Sequence, residues 1–244
     1  IAFLLIALLG APAAYAQCAE RVLVSGYFSN NVHVYDGCNG AFERLLDDQN
    51  RIRGPQAVKI GPDGRLYVVS EENGRILRYD ARTLAYIDTF ITTGAGFNAT
   101  GIAFGPDGDV YLGGYASDTV RRYDGTTGAF EATVVAARAA GLNGPDNGLT
   151  FGPDGRLYIP AYDSNSVAVY DPASGTTSAF IAPSSGGLSQ TRGILFEANG
   201  NVLVSGEGSN AILRYGPGGN FIGTFVTGLT GPTGLTRTAD GRIL

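Results

Sequence analysis

From residue 22 onward, short runs of alternating apolar and polar positions are cut off by Gly, Pro, Asn or Asp. Alternation with a period of two marks strands. No apolar pattern with a 3.6-residue period survives between these breakers, which excludes helical repeats. One stretch shows the layout. Residues 101–104 form a first strand, A, and Asp107-Gly108 turns the chain into strand B at 110–115. A polar turn at 116–118 leads to strand C at 120–124, and residues 125–128 lead to strand D at 129–135. Asp-Gly between two β-rich runs is a strong hairpin signal.

The four-strand pattern repeats. Tyr-Asp recurs at Tyr35-Asp36, Tyr79-Asp80, Tyr123-Asp124 and Tyr170-Asp171, with Tyr215-Gly216 in fifth place, at steps of 44, 44, 47 and 45 residues. Gly-Pro-Asp-Gly stands at 61–64, 105–108 and 152–155, then decays to Glu-Ala-Asn-Gly at 197–200 and Thr-Ala-Asp-Gly at 238–241. Units of this length with four strands each predict an all-β propeller of four-stranded antiparallel blades. The first unit begins at residue 21 and lacks strand A, four complete units follow, and a sixth opens at 234–236. The count predicts six blades, with seven as the alternative, the sixth being truncated at the end of this sequence. Asn30, Asn73, Asp118, Asn165 and Asn210 recur at the B–C turn, where Asx-turn hydrogen bonding is expected. The Tyr-Asp pairs are expected to pack neighbouring sheets and to start turns.

The carrying motif is small-Gly-(Ile/Leu)-x-Phe-Gly-Pro-Asp-Gly-x-(Leu/Val)-Tyr-(Val/Ile/Leu), followed by Asn-x-(Val/Ile)-x-x-Tyr-Asp. Over residues 22–244 it resembles the NHL-repeat propellers and the related gluconolactonase (senescence-marker-like) and streptogramin-lyase-like propellers. Residues 122–130 (RYDGTTGAF) are also similar to secreted bacterial propellers that carry a PEP-CTERM sorting tail. The gluconolactonase resemblance implies a divalent cation such as Ca²⁺, held at the channel mouth by a Glu, an Asn and an Asp. Asn147-Gly148-Leu149 matches the segment around the Asn ligand. The streptogramin-lyase resemblance implies a catalytic His. The single histidine, His33, instead falls on strand C, where other units carry Leu77, Arg121, Ala168 and Leu213, and is read as structural.

The N-terminal residues predict export. Residues 1–9 (IAFLLIALL) are apolar but too short to span a bilayer, and Ala14-Tyr15-Ala16 has the small-x-small form of a signal-peptidase site. Residues 1–16 are therefore expected to be a signal peptide and 17–244 a single propeller domain with no membrane span. Periplasmic, extracellular or cell-surface placement follows, and an oxidising compartment favours a Cys18–Cys38 disulfide.

Composition narrows the chemistry. A net charge of −5 across 244 residues argues against a nucleic-acid partner. One histidine and two cysteines exclude a His₂, His₃ or Cys₄ metal centre. No Gly-x-Ser-x-Gly elbow, phosphate-binding loop or Cys/His dyad is present. Lysine occurs once, as Lys59.

Chemistry is expected where the chain varies against its own repeat. The residue before the glycine that opens strand A (Ala57 in the first case) lies at the channel mouth, giving Gln56, Thr100, Asn147, Arg192 and Thr233. Beside them stand Glu71, Tyr115, Tyr162 and Glu207 at the ends of strand B, and Asp146 in the long fourth D–A loop. These positions converge on one rim, as ligand sites require. Apart from Asn147 the mouth set holds no carboxylate or matching ligand, and Arg192 would set a permanent positive charge beside any cation. The expected function is therefore a non-catalytic binding module, monomeric and without cofactor. It would take a small polar or anionic ligand, or a protein partner, at the rim. The alternative is a Ca²⁺-dependent hydrolase of the lactonase type.

Overall fold

The computed structural model describes residues 20–47, 49–238 and 240–244. Among them five antiparallel sheets form five blades, four of them four-stranded and the first three-stranded. Every complete blade is a plain meander in the order A–B–C–D. Blade 1 holds Arg21–Gly26, Asn31–Asp36 and Phe42–Leu45, which are strands B, C and D. Blade 2 runs through Pro55–Ile60, Arg65–Ser70, Arg75–Asp80 and Tyr86–Thr92. Blade 3 comprises Ala99–Phe104, Val110–Gly114, Thr119–Tyr123 and Phe130–Val135. Blade 4 comprises Thr150–Phe151, Leu157–Ala161, Ser166–Asp171 and Thr176–Ile181. Blade 5 comprises Thr191–Phe196, Val202–Gly206, Ala211–Tyr215 and Phe221–Val226. Beyond it, an Arg237–Ile243 bridge closes a hairpin around Asp240-Gly241. The expected signal peptide and Cys18 lie outside the described residues.

There is no single core. Four apolar layers lie between successive blades, and each draws on both neighbours. The repeat explains why. Tyr79, Tyr123, Tyr170 and Tyr215 of the Tyr-Asp motif are all buried in these layers. The Asp that follows each of the first three accepts backbone N–H groups of the C–D turn, as Asp80 does from Arg82 and Thr83, and Asp124 from Thr126 and Thr127.

A second tyrosine joins three parts of the repeat. Tyr67, Tyr111 and Tyr158 on strand B donate their hydroxyls to Asp63, Asp107 and Asp154 of Gly-Pro-Asp-Gly, at 2.9, 2.7 and 2.8 Å. Their rings meet Phe104, Phe151 and Phe196 on strand A of the next blade edge to face, at centroid distances of 4.9–5.1 Å. Such pairs contribute about 0.5–1.5 kcal/mol beyond the area they bury. Where the acid becomes Asn199, the tyrosine becomes Leu203 and the facing position becomes Arg237. The three residues are kept or lost together.

The B–C turn residues reach further than an Asx turn. Asn30, Asp118, Asn165 and Asn210 all have φ between 51° and 54°, a left-handed conformation that Asn and Asp tolerate best among side-chain-bearing residues. Their Oδ1 atoms accept N–H groups of Gly54, Gly144, Gln190 and Gly231, each on the loop entering the next blade. These are latches between blades. In blade 2 the left-handed position is Gly74, not Asn73, and no such latch forms there; Asn73 instead donates to the Arg51 carbonyl. For the latch, we expect Asn165→Gly to lower stability by about 1 kcal/mol, the loss of one hydrogen bond. Asn165→Ala should cost a further ~1 kcal/mol for forcing Ala into the left-handed region. Thermal melts of both variants measure this; equal melting temperatures would remove the backbone part of the argument.

Candidate functional site

Strand A enters each blade at the mouth of the channel, and its first residues do not pair regularly with strand B. Pro55 pairs with Ser70 and Val58 with Val68, so Gln56 and Ala57 face one residue. Thr100 and Arg192 sit in equivalent one-residue bulges, after Ala99–Gly114 and Thr191–Gly206. A bulge re-aims the side chain it carries. Blade 4 departs from this. Its Pro145–Ala161 bridge and Thr150–Tyr158 pair leave residues 146–149 facing only 159 and 160, one extra residue more than elsewhere. Pro160 lies opposite and lacks an N–H, so the ladder opens there. Asp146 thereby takes the place that Gln56, Thr100 and Arg192 hold in their blades.

The result is a cavity of ≈220 Å³ lined by Tyr27, Gln56, Glu71, Thr100, Tyr115, Asp146, Tyr162 and Arg192. All five blades contribute. Of the expected rim residues, Gln56, Glu71, Thr100, Tyr115, Asp146, Tyr162 and Arg192 come together here. Asn147 and Thr233 do not line it, and Glu207 stands behind Arg192. Thr233 is exposed beyond blade 5. Tyr27 was not among the expected residues, although it shares the register of Glu71, Tyr115, Tyr162 and Glu207. His33 lies away from the cavity, bonded to Ser29 at 2.9 Å and stacked on Tyr35.

Arg192 is not free to receive an anion. Its Nε donates to Glu207 at 2.6 Å, and one terminal nitrogen donates to both Asp146 oxygens at 3.0 and 3.1 Å. Its guanidinium also lies 4.6 Å from the centre of the Tyr162 ring. Burial pushes the Asp146 carboxyl above its usual range, and Arg192 and the Asn147 N–H only partly pull it back. Burial alone would lower Arg192, but Asp146 and Glu207 outweigh it and hold the guanidinium charged. The two shifts point opposite ways for one ion pair. The Arg192 N–H groups shared by both Asp146 oxygens, with the 2.6 Å contact to Glu207, favour the ionised pair.

This arrangement does not fit the divalent cation that the gluconolactonase resemblance implies. Asp146 is the one carboxylate at a strand-A mouth position among the described residues, and Arg192 covers both its oxygens. Asn147 Oδ1 is buried without a hydrogen-bond partner, but one amide oxygen is far short of the six to eight oxygens that Ca²⁺ takes.

Glu71 is placed differently. It accepts from Gln56 Nε2 at 2.7 Å and Asn98 Nδ2 at 3.4 Å, and no ion pair to it occurs among the described residues. Burial raises its pKa, and Asp146 and Glu72 add to the shift. Tyr115 donates to Asp163 at 3.2 Å, and its pKa is pushed up to about 12, chiefly by burial.

Deeper in the channel, Lys59 reaches from strand A of blade 2 to the Leu149 carbonyl of blade 4, at 2.5 Å. Burial pushes its amine down to about 8. Part of its surface still opens to the channel, so enclosure by the ring, not full contact, removes its water, and the energetic weight is correspondingly reduced.

No family model and no curated protein matches this chain. Solved structures do. Streptogramin B lyase matches at 20% identity over 92% of this chain and 72% of that one, with a TM-score of 0.69. A protein named as a gluconolactonase matches at 18% identity over 92% and 80%, with a TM-score of 0.71. A chain of the nidogen/laminin complex matches at 15% identity over 86% and 80%, with a TM-score of 0.68.

Two outcomes check the electrostatics. Arg192→Ala strands a buried Asp146 and should destabilise the protein by about 3 kcal/mol, as breaking a buried pair does. The deficit should shrink as pH falls and Asp146 takes up a proton, and adding Asp146→Asn should recover most of it; a fold unmoved by Arg192→Ala at pH 7 removes the pair's structural role. For Lys59, the unfolded chain holds its proton to about pH 10.4 while the folded one releases it near 8, so stability should rise between these values. Denaturant melts at pH 7 and 9.5 should differ by about 1–2 kcal/mol more in the wild type than in Lys59→Met. By its architecture and its neighbours, the chain is a β-propeller of the kind found in streptogramin B lyase and gluconolactonase-like proteins.

Proposed function

We propose that this propeller is a non-catalytic binding module whose channel mouth takes one small polar group. The observation that carries the reading is the convergence of eight side chains, from five blades, on one cavity of ≈220 Å³. Pockets for whole drug-sized molecules run to about 300–1,000 Å³. The mouth thus suits the end group of a larger ligand, or a single side chain of a protein partner. The match within the nidogen/laminin complex supports the second source. The lactonase alternative is not supported by the donor set, because Arg192 covers both oxygens of Asp146 and leaves Glu71 as the one cavity-lining carboxylate outside an ion pair among the described residues. A six-bladed ring is part of the proposal, supported by the way residues 233–235 lie against Gly193. So are export and the Cys18–Cys38 bridge, supported by the leader-like residues 1–16, and a monomeric state.

The reading is tested by titrating ¹⁵N-labelled protein with small polar fragments: a hexose, an amino-acid amide and an aliphatic diamine. Shifts are expected at the Gln56 side-chain amide and the mouth-proximal backbone, with the outer D strands unmoved. No shift at the mouth with any fragment removes the binding reading. Hydrolysis of a δ-lactone that depends on added Ca²⁺ would establish the hydrolase instead.

A further inference from the structure

The hydrogen-bonding inventory of the cavity is lopsided. Glu71 is a carboxylate and can only accept. It fixes the orientation of Gln56, which must turn its Nε2 toward Glu71 and so keeps its Oε1 as a further acceptor. Asp146 adds a second carboxylate, with both oxygens held by Arg192. Most of the donors, by contrast, are engaged. Thr100 gives its hydroxyl to the Pro145 carbonyl at 2.7 Å, Tyr115 to Asp163, and Tyr162 to Glu207 at 3.3 Å. Arg192 spends its Nε and one terminal nitrogen on Glu207 and Asp146. An acceptor-rich cavity calls for a ligand rich in donors.

Charge points the same way. Glu71, Asp146 and Glu207 stand against a single guanidinium, and that guanidinium is bound to two of the three. Glu71 is left at the wall with only amide partners. Two rings, Tyr27 and Tyr115, line the same cavity, and the Tyr162 ring already holds a cation, Arg192. Aromatic faces beside a carboxylate are a setting in which an organic cation gains from both.

We propose that the channel mouth binds an organic ammonium group, whose N–H donors engage Glu71 and the Gln56 carbonyl while Tyr27 and Tyr115 flank it. This rests on the mouth being a binding site, and adds the chemical class of its ligand. An anion would meet an excess of carboxylates. A neutral group would leave the half-buried Glu71 carboxylate with amide partners and no opposite charge. A hard metal ion would find too few oxygens. Beside Tyr27, Phe28 is 96% exposed where the other blades carry Glu72, Ala116, Asp163 and Gly208. It provides an apolar lip on which the carbon skeleton of an arylalkyl amine can rest.

The test uses three probes of one shape, benzylammonium chloride, benzyl alcohol and sodium benzoate, with calcium chloride as a fourth. Binding is measured at pH 7 by calorimetry and ligand-observed NMR. Benzylammonium should bind at least tenfold more tightly than either isostere, and Glu71→Gln should remove that preference while its melting temperature stays near wild type. Tyr27→Leu, which leaves every carboxylate in place, should weaken benzylammonium several-fold and serves if Glu71→Gln does not fold. Equal binding of benzyl alcohol, or a preference for benzoate, overturns the ammonium assignment and leaves the binding-module reading standing. Tight Ca²⁺ binding that Glu71→Gln abolishes overturns it in favour of a metal. If none of the four binds, the ammonium assignment falls, and the binding reading falls with it only when the hexose and the amino-acid amide also leave the mouth unshifted.

Discussion

The spacing between the innermost strands governs everything at the channel. Gly101 lies so close to blade 4 that a Cβ there would fall within 3.0 Å of the Asp146 carbonyl and the Leu149 side chain. Gly148 meets the Arg192 carbonyl as closely, and Gly193 meets that of Thr233. A side chain at any of these positions would force neighbouring blades apart, because backbone cannot yield as a flexible side chain does. With glycine, the strands close to a distance at which side chains reach from one blade to the next and, at Lys59 and Leu149, across two. The Arg192–Asp146 pair and the Lys59–Leu149 contact both depend on that closeness. The small-Gly step in the repeat is thus a packing constraint first, and it creates the mouth as a consequence.

Much of the scaffold was legible in the residues because its signals are local. Asp-Gly turns, strand alternation and the 44–47-residue period each need only a short window, and they located all five blades. The misplacements share one cause, namely that they depend on hydrogen-bond register. Aligning the fourth blade on Gly148 puts Asn147 at the mouth, but pairing to strand B puts Asp146 there, because the extra residue is absorbed opposite Pro160. Tyr27 escaped because the rim was traced from strand A, which the first blade lacks among the described residues. The same residue follows from strand B, by the 44-residue step back from Glu71.

Long-range pairing was the other blind spot. The sequence leaves open whether Arg192 meets an anionic ligand or pairs with Glu207, 15 residues away, or Asp146, 46 away. The contact with Glu207 forms between strands A and B of blade 5 and the contact with Asp146 across to blade 4, and on our proposal they turn the preferred ligand from an anion to a cation. The B–C turn residues show the same effect in milder form. Their left-handed backbone is a local property and could be foreseen, whereas the N–H they accept belongs to the next blade.

These observations separate two kinds of position within one repeat. The Asp–Tyr–Phe set spans a turn, a strand and the next blade, so a change at one member leaves the other two with a lost hydrogen bond or a lost ring contact. That coupling explains why the set is absent as a whole at Leu23 with Ile60, and at Leu203 with Arg237. Residues ending strand B carry no such obligation to the scaffold. Tyr27, Glu71, Tyr115, Tyr162 and Glu207 occupy one equivalent place with two chemistries, ring and carboxylate, and no ladder or layer depends on which is present. A propeller built this way can vary its mouth chemistry blade by blade while the spacing set by the glycines stays unchanged.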